Sequence, residues 1–182
     1  MKKTSRVALS GMLCALSLIC LLLTFFPFAT YALPAIAGVF LLPLVVEYGK
    51  ATAFYGYLAV SLLSLFLVPD IEAKALFVAF FGYYPILKSV AESRRHRVVE
   101  WFVKLLTFNI AVVAAYTVLS VVGFSLEEFT IDGVSLSLGV MLLFFLIAGN
   151  IIFVLYDIGL TRFLPLYFSR LQPLLHRLFP TR

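Results

Sequence analysis

The side chains most able to do acid–base or nucleophilic chemistry are few and scattered in this sequence. Its histidines are His96, inside an arginine run, and His176, near the end, and neither has a neighbouring carboxylate or cysteine. Cys14 and Cys20 share one apolar segment at a spacing that metal sites do not use. The zinc-protease, phosphate-loop and serine-hydrolase motifs are all missing. The sequence therefore predicts no enzyme, no metal site and no cofactor.

Other polar and aromatic residues fit ligand binding better than catalysis. We expect a small-molecule pocket to be lined by Tyr31, Asp70, Glu72, Lys74 and Tyr116. An aromatic surface with a few placed polar groups is the usual composition of such a pocket. Lys74 could pair with an anionic group of a ligand, or with Glu72 or Asp70 at the start of its own helix. The acidic residues would also suit an ordinary membrane interface.

The first apolar segment carries small residues at helical spacing. Ala8, Gly11 and Ala15 would lie on one face of a helix. Small residues at this spacing allow another helix to approach closely. That helix belongs either to a partner protein or to another part of the same chain.

The composition is that of a membrane protein. Of the 182 residues, 63% are hydrophobic and only 13% are charged, and the mean hydropathy is +1.09. A soluble domain is roughly half apolar and a quarter charged. The formal charge of +5 does not indicate a nucleic-acid partner, because the basic residues lie at the ends of apolar segments. There they act as membrane topology signals.

The elements that must position these residues are predicted to be six membrane-spanning helices. A span needs about 20 predominantly apolar residues. The segments that qualify, some of them short, cover residues 7–26, 31–46, 51–68, 73–86, 105–124 and 135–155. Pro34 suits the first turn of the second helix, whereas Pro43 should kink it. Gly82 and Pro85 should leave the fourth helix kinked or partly unwound.

The charges between the segments set the predicted orientation. Lysines and arginines collect on the side of the two termini, and the other side holds Lys74 with five acidic residues. The basic side comprises Lys2, Lys3, Arg6, Lys50, Lys88, Arg94, Arg95, Arg97, Arg162, Arg170, Arg177 and Arg182, with Lys104 at its edge; the acidic side comprises Asp70, Glu72, Glu127, Glu128 and Asp132. Excess Lys and Arg mark the cytoplasm. Both termini are therefore predicted to be cytoplasmic.

The predicted architecture is an all-α membrane protein with a compact bundle of six transmembrane helices. The bundle occupies residues 1–160, and residues 161–182 form a basic amphipathic tail along the membrane surface. We expect a multi-pass protein of a bacterial plasma membrane. Buried charge marks the path of pumps and channels, and the predicted spans carry almost none at mid-membrane. A membrane protein that binds a ligand or another protein is therefore favoured.

The chain resembles the substrate-binding S components of energy-coupling factor (ECF) transporters. The resemblance covers about residues 5–160 and includes the opening Arg6-Val-Ala-Leu-Ser-Gly-Met-Leu-Cys-Ala-Leu-Ser. In that family an Ala-x-x-x-Ala motif of the first helix contacts a transmembrane coupling subunit; here Gly11 and Ala15 occupy its positions. The resemblance implies capture of a vitamin-like small molecule at the outer face. It also implies partner ATPase subunits that drive uptake.

A different class of protein fits the same pattern. A non-catalytic scaffold of the cell-shape or division machinery would also be a small helical bundle in the membrane. A substrate-binding subunit should copurify with a coupling subunit and ATPase subunits and retain a small molecule. A scaffold should copurify with other membrane proteins and retain no ligand.

Overall fold

A computed structural model describes residues 3–25, 29–93, 96–121, 130–131, 134–135 and 138–173. Within these ranges the regular secondary structure is helical apart from one pair of two-residue strands, and short turns join the helices, which confirms the all-α prediction. The helices are α1 (Lys3–Leu22), α2 (Ala32–Val39), α3 (Leu42–Leu67), α4 (Ile71–Leu76), α5 (Tyr84–Ala91), α6 (Arg97–Val121) and α7 (Leu138–Leu166), and the antiparallel strands are β1 (Thr130–Ile131) and β2 (Val134–Ser135). A 3-10 turn (Leu23–Phe25) follows α1, and π-helical segments follow α4 (Phe77–Phe81) and α7 (Tyr167–Leu171).

Several residues named in the sequence analysis lie outside the described ranges. They are Lys2, Arg94, Arg95, Glu127, Glu128, Asp132, His176, Arg177 and Arg182.

Four helical stretches of the described chain are long and apolar enough to cross a membrane. They are Ser5–Leu22, Leu42–Leu67, Arg97–Val118 and Leu146–Leu171. Their outward side chains are also apolar: Phe66 exposes 83% of its surface, Val98 83% and Val121 82%. So much exposed apolar surface is unfavourable in water but is the normal exterior of a protein in lipid.

The chain reverses direction inside α3, at Gly49. Its φ of 81° and ψ of 172° lie in a region that glycine adopts without strain. A Cβ on Gly56 would lie 2.9 Å from Cδ1 of Leu44, so residues before and after Gly49 pack side by side. We call residues 42–48 the first arm of α3 and residues 50–67 its second arm. These arms match the end of the second predicted span and most of the third.

The prolines of this region act at helix starts. Pro34 lies in the first turn of α2, as predicted. The expected kink at Pro43 is instead a short break: α2 ends at Val39, and Pro43 occupies the first turn of α3. Proline fits a first turn because the missing N–H would have no partner there.

The fourth predicted span is interrupted, as expected from Gly82 and Pro85. After α4 the chain forms the π-helical segment Phe77–Phe81, in which the N–H of Gly82 donates to the carbonyl of Phe77 at 2.8 Å. Helix α5 then starts at Tyr84, with Pro85 in its first turn. A Cβ on Gly82 would lie 2.5 Å from the ring of Tyr57. The interruption therefore packs tightly against the second arm of α3.

Different charged residues mark the two ends of the bundle. At one end, the guanidinium of Arg6 donates to the hydroxyl of Thr52 and lies 5.8 Å from the ring centroid of Tyr48. At the other end, the hydroxyl of Thr30 donates to Asp70 at 2.9 Å. We call the first, which also holds Lys50, Lys88 and Arg97, the basic end, and the second, with Asp70 and Glu72, the acidic end.

Helix α7 extends beyond the predicted boundary at residue 160 and returns to the first arm of α3. It continues to Leu166, and the π-helical segment continues to Leu171. The hydroxyl of Tyr167 and the amide of Gln172 each donate to Oε1 of Glu47 at 2.9 Å. The start of the predicted tail is therefore a folded part of the bundle at the basic end.

Two apolar clusters form the core. The first joins α1, α2 and α3 around residues such as Leu13, Leu44 and Val60. The second joins α5, α6 and α7, where the rings of Phe108 and Phe153 stack 4.8 Å apart. Tyr84 is fully buried in this second cluster, with its hydroxyl pointing toward the basic end, where it meets the charged groups described next.

Candidate functional site

The most unusual feature of the described chain is a network of charged and hydroxyl side chains at the basic end, four of which are buried: Tyr84, Lys88, Lys104 and Asp157. It joins α5, Glu92 (the residue immediately after α5) and the two helices α6 and α7. We call it the ionic cluster, and its members are Tyr84, Lys88, Glu92, Glu100, Lys104, Asp157 and Thr161.

Helical spacing explains why each segment contributes more than one member. Residues four apart lie on the same face of a helix. Lys88 and Glu92 have this spacing, as do Glu100 and Lys104, and both pairs form ion pairs, at 2.5 and 2.7 Å. The order of the second pair, with glutamate before lysine, favours the start of α6. The contacts between helices, by contrast, depend on the packing of the aromatic core.

Asp157 is the centre of the ionic cluster. Its Oδ1 accepts hydrogen bonds from the hydroxyl of Tyr84 at 2.5 Å and from Nζ of Lys88 at 2.6 Å. Its Oδ2 accepts from Nζ of Lys104 at 3.1 Å. Only 4% of the side chain is exposed. A buried carboxylate requires such compensation, because its transfer from water is very unfavourable without it.

Both lysines use all of their hydrogen-bonding capacity inside the ionic cluster. Nζ of Lys88 contacts Glu92, Asp157 and the hydroxyl of Thr161. Nζ of Lys104 contacts Glu92 at 3.0 Å, Glu100 and Asp157. An ammonium group has three donors, so neither lysine has a donor left for a ligand.

Glu92 is the member of the ionic cluster that reaches the surface. Its side chain is 34% exposed, and both lysines contact the same oxygen, Oε1. The other oxygen has no protein hydrogen bond within the described part of the chain. With its two lysines and three carboxylates ionised and its two hydroxyl groups neutral, the ionic cluster has a formal charge of −1. The ionic cluster could therefore accept a hydrogen bond from a cation at the second carboxylate oxygen of Glu92.

The ionic cluster corrects the sequence analysis. Lys88 and Lys104 were counted as topology residues, yet both are fully buried, and Asp157 was not considered. A signal was present: Tyr84, Lys88 and Glu92 follow one another at intervals of four, and Asp157 is a lone charge in an apolar run. A lone carboxylate in a span usually indicates a buried partner.

The predicted ligand residues at the acidic end contact one another only in part. The hydroxyl of Tyr31 donates to Glu72 at 3.1 Å. Asp70 caps the start of α4 by accepting from the N–H of Ala73 at 3.1 Å. Nζ of Lys74 donates to the carbonyl of Val68 at 3.2 Å. Within the described ranges, no ion pair joins Lys74 to Asp70 or Glu72.

Tyr116 is half-buried in α6 and makes no hydrogen bond to the other four predicted ligand residues. The structure brings Tyr31, Asp70, Glu72 and Lys74 to the acidic end, where Tyr31 and Glu72 share a hydrogen bond.

The predicted partner-contact residues are all exposed. Ala8, Gly11 and Ala15 lie on the outer face of α1. A Cβ added to Gly11 would have no described atom within 4 Å. Within the described chain, therefore, no other helix packs against this face.

Two pockets lie away from the predicted ligand residues. One, of about 340 Å³, lies at the basic end beside Lys88 and Glu92. The other, of about 550 Å³, is an apolar groove between α3 and α5 that includes Phe54 and Tyr83. Neither contains Tyr31, Asp70, Glu72, Lys74 or Tyr116. Among the described residues, no three His, Cys, Asp or Glu side chains are placed to hold a metal ion.

No family matches. Searches of protein-family models, curated proteins and solved structures each found no match to this chain. A functional proposal therefore depends on the architecture, on the exposed face of α1 and on the two ends of the bundle.

Proposed function

We propose that this protein is a membrane-embedded substrate-binding subunit similar to the S components of ECF transporters. It captures a vitamin-like small molecule at the outer, acidic end. A transmembrane coupling subunit and ATPase subunits then drive uptake across a bacterial plasma membrane. The basic end, with both termini, faces the cytoplasm.

In this proposal the chain passes six times between the basic end and the acidic end. Helix α1 runs from the basic to the acidic end, and α2 with the first arm of α3 returns to Gly49. The second arm runs back to Asp70, and α4 with α5 returns to Lys88. Helices α6 and α7 form the last two crossings. Both of these crossings are interrupted, and the interruptions pack against protein.

The observation that carries the proposal is the open face of α1. A stripe of small residues has no packing partner in the described chain, and Gly11 has free space above it. Lipid tails gain little from such a stripe, whereas a second helix can approach closely and gain dispersion contacts along it. This is the surface that the proposal assigns to the coupling subunit.

Cysteine labelling tests the orientation. In a variant with alanine at Cys14 and Cys20, we expect a membrane-impermeant maleimide to label Ile71→Cys in intact cells. Lys50→Cys should react only after the membrane is permeabilised, because Lys and Arg are retained on the cytoplasmic side. Labelling of Lys50→Cys alone in intact cells would reverse the proposed orientation.

A volume increase on α1 tests partner docking. The double variant Gly11→Leu, Ala15→Leu should fold normally, because both positions are exposed, but should lose copurification of the coupling subunit. Added side chains hold the two backbones apart. Gly159→Leu is the matched control, since Gly159 also has open space around it, and it should retain the partner. Retention of the partner by the double variant would show that docking occurs elsewhere.

Mass spectrometry of small molecules retained by the purified protein tests ligand binding. Lys74→Ala and Tyr116→Ala should each reduce ligand retention while thermal stability changes little. Lys50→Ala, at the opposite end, is the control and should retain the ligand fully. Equal retention by all variants would reject these residues as ligand contacts.

The alternative is a membrane scaffold of the cell-shape or division machinery. The observation that favours it is that neither pocket includes the predicted ligand residues. A scaffold would use the same α1 face to bind a different membrane protein. Absence of any retained small molecule, together with copurification of membrane proteins other than transporter subunits, would support this alternative.

A further inference from the structure

The pocket at the basic end combines apolar walls with a polar floor. Its volume is about 340 Å³, and it lies between the first arm of α3, α5 and α7. Leu42, Val45 and Leu164 supply apolar walls, whereas Ser89 and Glu92 supply polar groups. A pocket of this kind fits an amphiphile, with its apolar part against the walls and its polar part at Glu92.

The carboxylate of Glu92 makes this pocket more suitable for a cationic group than for an anionic one. Lys88 also lines the pocket, but its ammonium group is engaged by Glu92, Asp157 and Thr161. Glu92 has one carboxylate oxygen without a protein partner in the described chain, and the ionic cluster carries a formal charge of −1. An anion at this position would therefore face the carboxylate of Glu92 and find no free ammonium donor on Lys88. A primary ammonium could donate hydrogen bonds to Glu92.

The position of the pocket matches the depth of lipid headgroups. Val46, which lines it, is three residues before the reversal at Gly49, a distance of about 4.5 Å along a helix. Ser93, at its edge, follows the last residue of α5 by two positions. The pocket therefore lies within about one helical turn of the end of the bundle, where headgroups meet the hydrocarbon core.

We propose that this pocket binds the headgroup of a phospholipid with a primary amine, of the phosphatidylethanolamine type. The ammonium donates to Glu92, the phosphate accepts from the hydroxyl of Ser89, and the start of an acyl chain packs on Leu42 and Val45. This site is distinct from the proposed outer ligand site. It requires only that the basic end lies at a membrane surface.

Lipid titration of the delipidated protein in detergent tests the proposal. Phosphatidylethanolamine should raise the unfolding temperature and remain bound in native mass spectrometry, because a ligand of the folded state stabilises it. Phosphatidylcholine with the same acyl chains should bind about tenfold more weakly, because its quaternary amine donates no hydrogen bond. Phosphatidylglycerol should bind no better than phosphatidylcholine. Free ethanolamine at the same concentration should not compete.

A matched pair of variants isolates the role of Glu92. Glu92→Gln and Glu100→Gln each remove one carboxylate from Lys104, but only Glu92 lines the pocket. Glu92→Gln should weaken binding of phosphatidylethanolamine about tenfold, whereas Glu100→Gln should not. If Glu92→Gln fails to fold, Ser89→Phe fills the pocket without removing a member of the ionic cluster and should also abolish the lipid preference.

Three results would overturn the proposal. The first is equal binding of the ethanolamine and choline lipids by the wild-type protein. The second is a preference for phosphatidylglycerol, which would indicate an anion site. The third is competition by free ethanolamine, which would indicate a site for small amines rather than for lipid.

Discussion

Replacement of Asp157 by alanine should lower the free energy of unfolding by about 3–5 kcal/mol, the usual effect of removing one partner from a buried ion pair. Lys88 and Lys104 would remain buried with fewer acceptors, and the hydroxyl of Tyr84 would lose its partner. Denaturant unfolding in detergent micelles, followed by tryptophan fluorescence and circular dichroism, measures the change.

Glu100→Gln is the control for this experiment. Glu100 also pairs with Lys104 but lies nearer the surface, and Lys104 would keep Glu92 and Asp157. We expect a loss of about 1 kcal/mol, because the side-chain carbonyl of the glutamine can still accept a hydrogen bond from Lys104. If Asp157→Ala unfolds at the same denaturant concentration as the wild type, the ionic cluster does not stabilise the bundle.

Replacement of Gly38 by alanine should be the most disruptive single-methyl change in the described part of α2. The new Cβ would lie 2.3 Å from the carbonyl oxygen of Phe81 and 3.1 Å from the hydroxyl of Tyr156. The first contact is with backbone and cannot be relieved by a side-chain rotation. Overpacking of this kind lowers stability by about 1–3 kcal/mol, and occasionally by more. Thermal unfolding in detergent measures the effect.

Gly159→Ala separates the steric effect from helix propensity. Gly159 lies in α7 with no described atom within 4 Å of a Cβ. Alanine is a better helix former than glycine by about 0.5–1 kcal/mol, so this variant should be as stable as the wild type or slightly more stable. A wild-type unfolding temperature for Gly38→Ala would contradict the close approach of α2 to the π-helical segment.

The sequence predicted the helical fold and most of its interruptions because those features depend on local residues. Gly82 and Pro85 identified the break before α5, and Gly49 stands between the second and third predicted spans. The bounds of α7 were less predictable. Pro165 and the nearby arginines indicated a separate tail, yet the hydrogen bonds of Tyr167 and Gln172 to Glu47 hold that segment in the bundle.

The hydropathy of a segment could not predict the ionic cluster, because a lysine contributes the same hydropathy whether it is buried or solvated. Lys50 and Lys88 both follow apolar segments, but Lys50 is exposed and Lys88 is fully buried. The difference arises from Asp157, which is 69 residues further along the chain than Lys88. Only the packing of α5 against α7 brings the two together.

The predicted ligand residues show the same limit. Their predicted side of the membrane and their positions along the spans placed Tyr31, Asp70, Glu72 and Lys74 at one end. The structure also has these four residues at one end of the bundle. The specific contacts, such as the hydrogen bond from Tyr31 to Glu72, depend on how the start of α2 approaches α4. Tyr116 was grouped with them by depth alone, and depth does not determine which neighbours a residue on α6 meets.

The order of the ionic cluster along the chain has a consequence for biogenesis. Lys88 and Lys104 leave the ribosome 69 and 53 residues before Asp157, so both must reach the membrane while their central partner has not been synthesised. Glu92 and Glu100, each four residues from one of these lysines, are available as counter-charges during that interval. The nascent chain can thus hold its lysines as local pairs, to which the shared carboxylate of Asp157 is added only when the last helix arrives. A chain truncated before Asp157 would keep the unfinished pairs, and membrane quality-control proteases should degrade it faster than the complete protein.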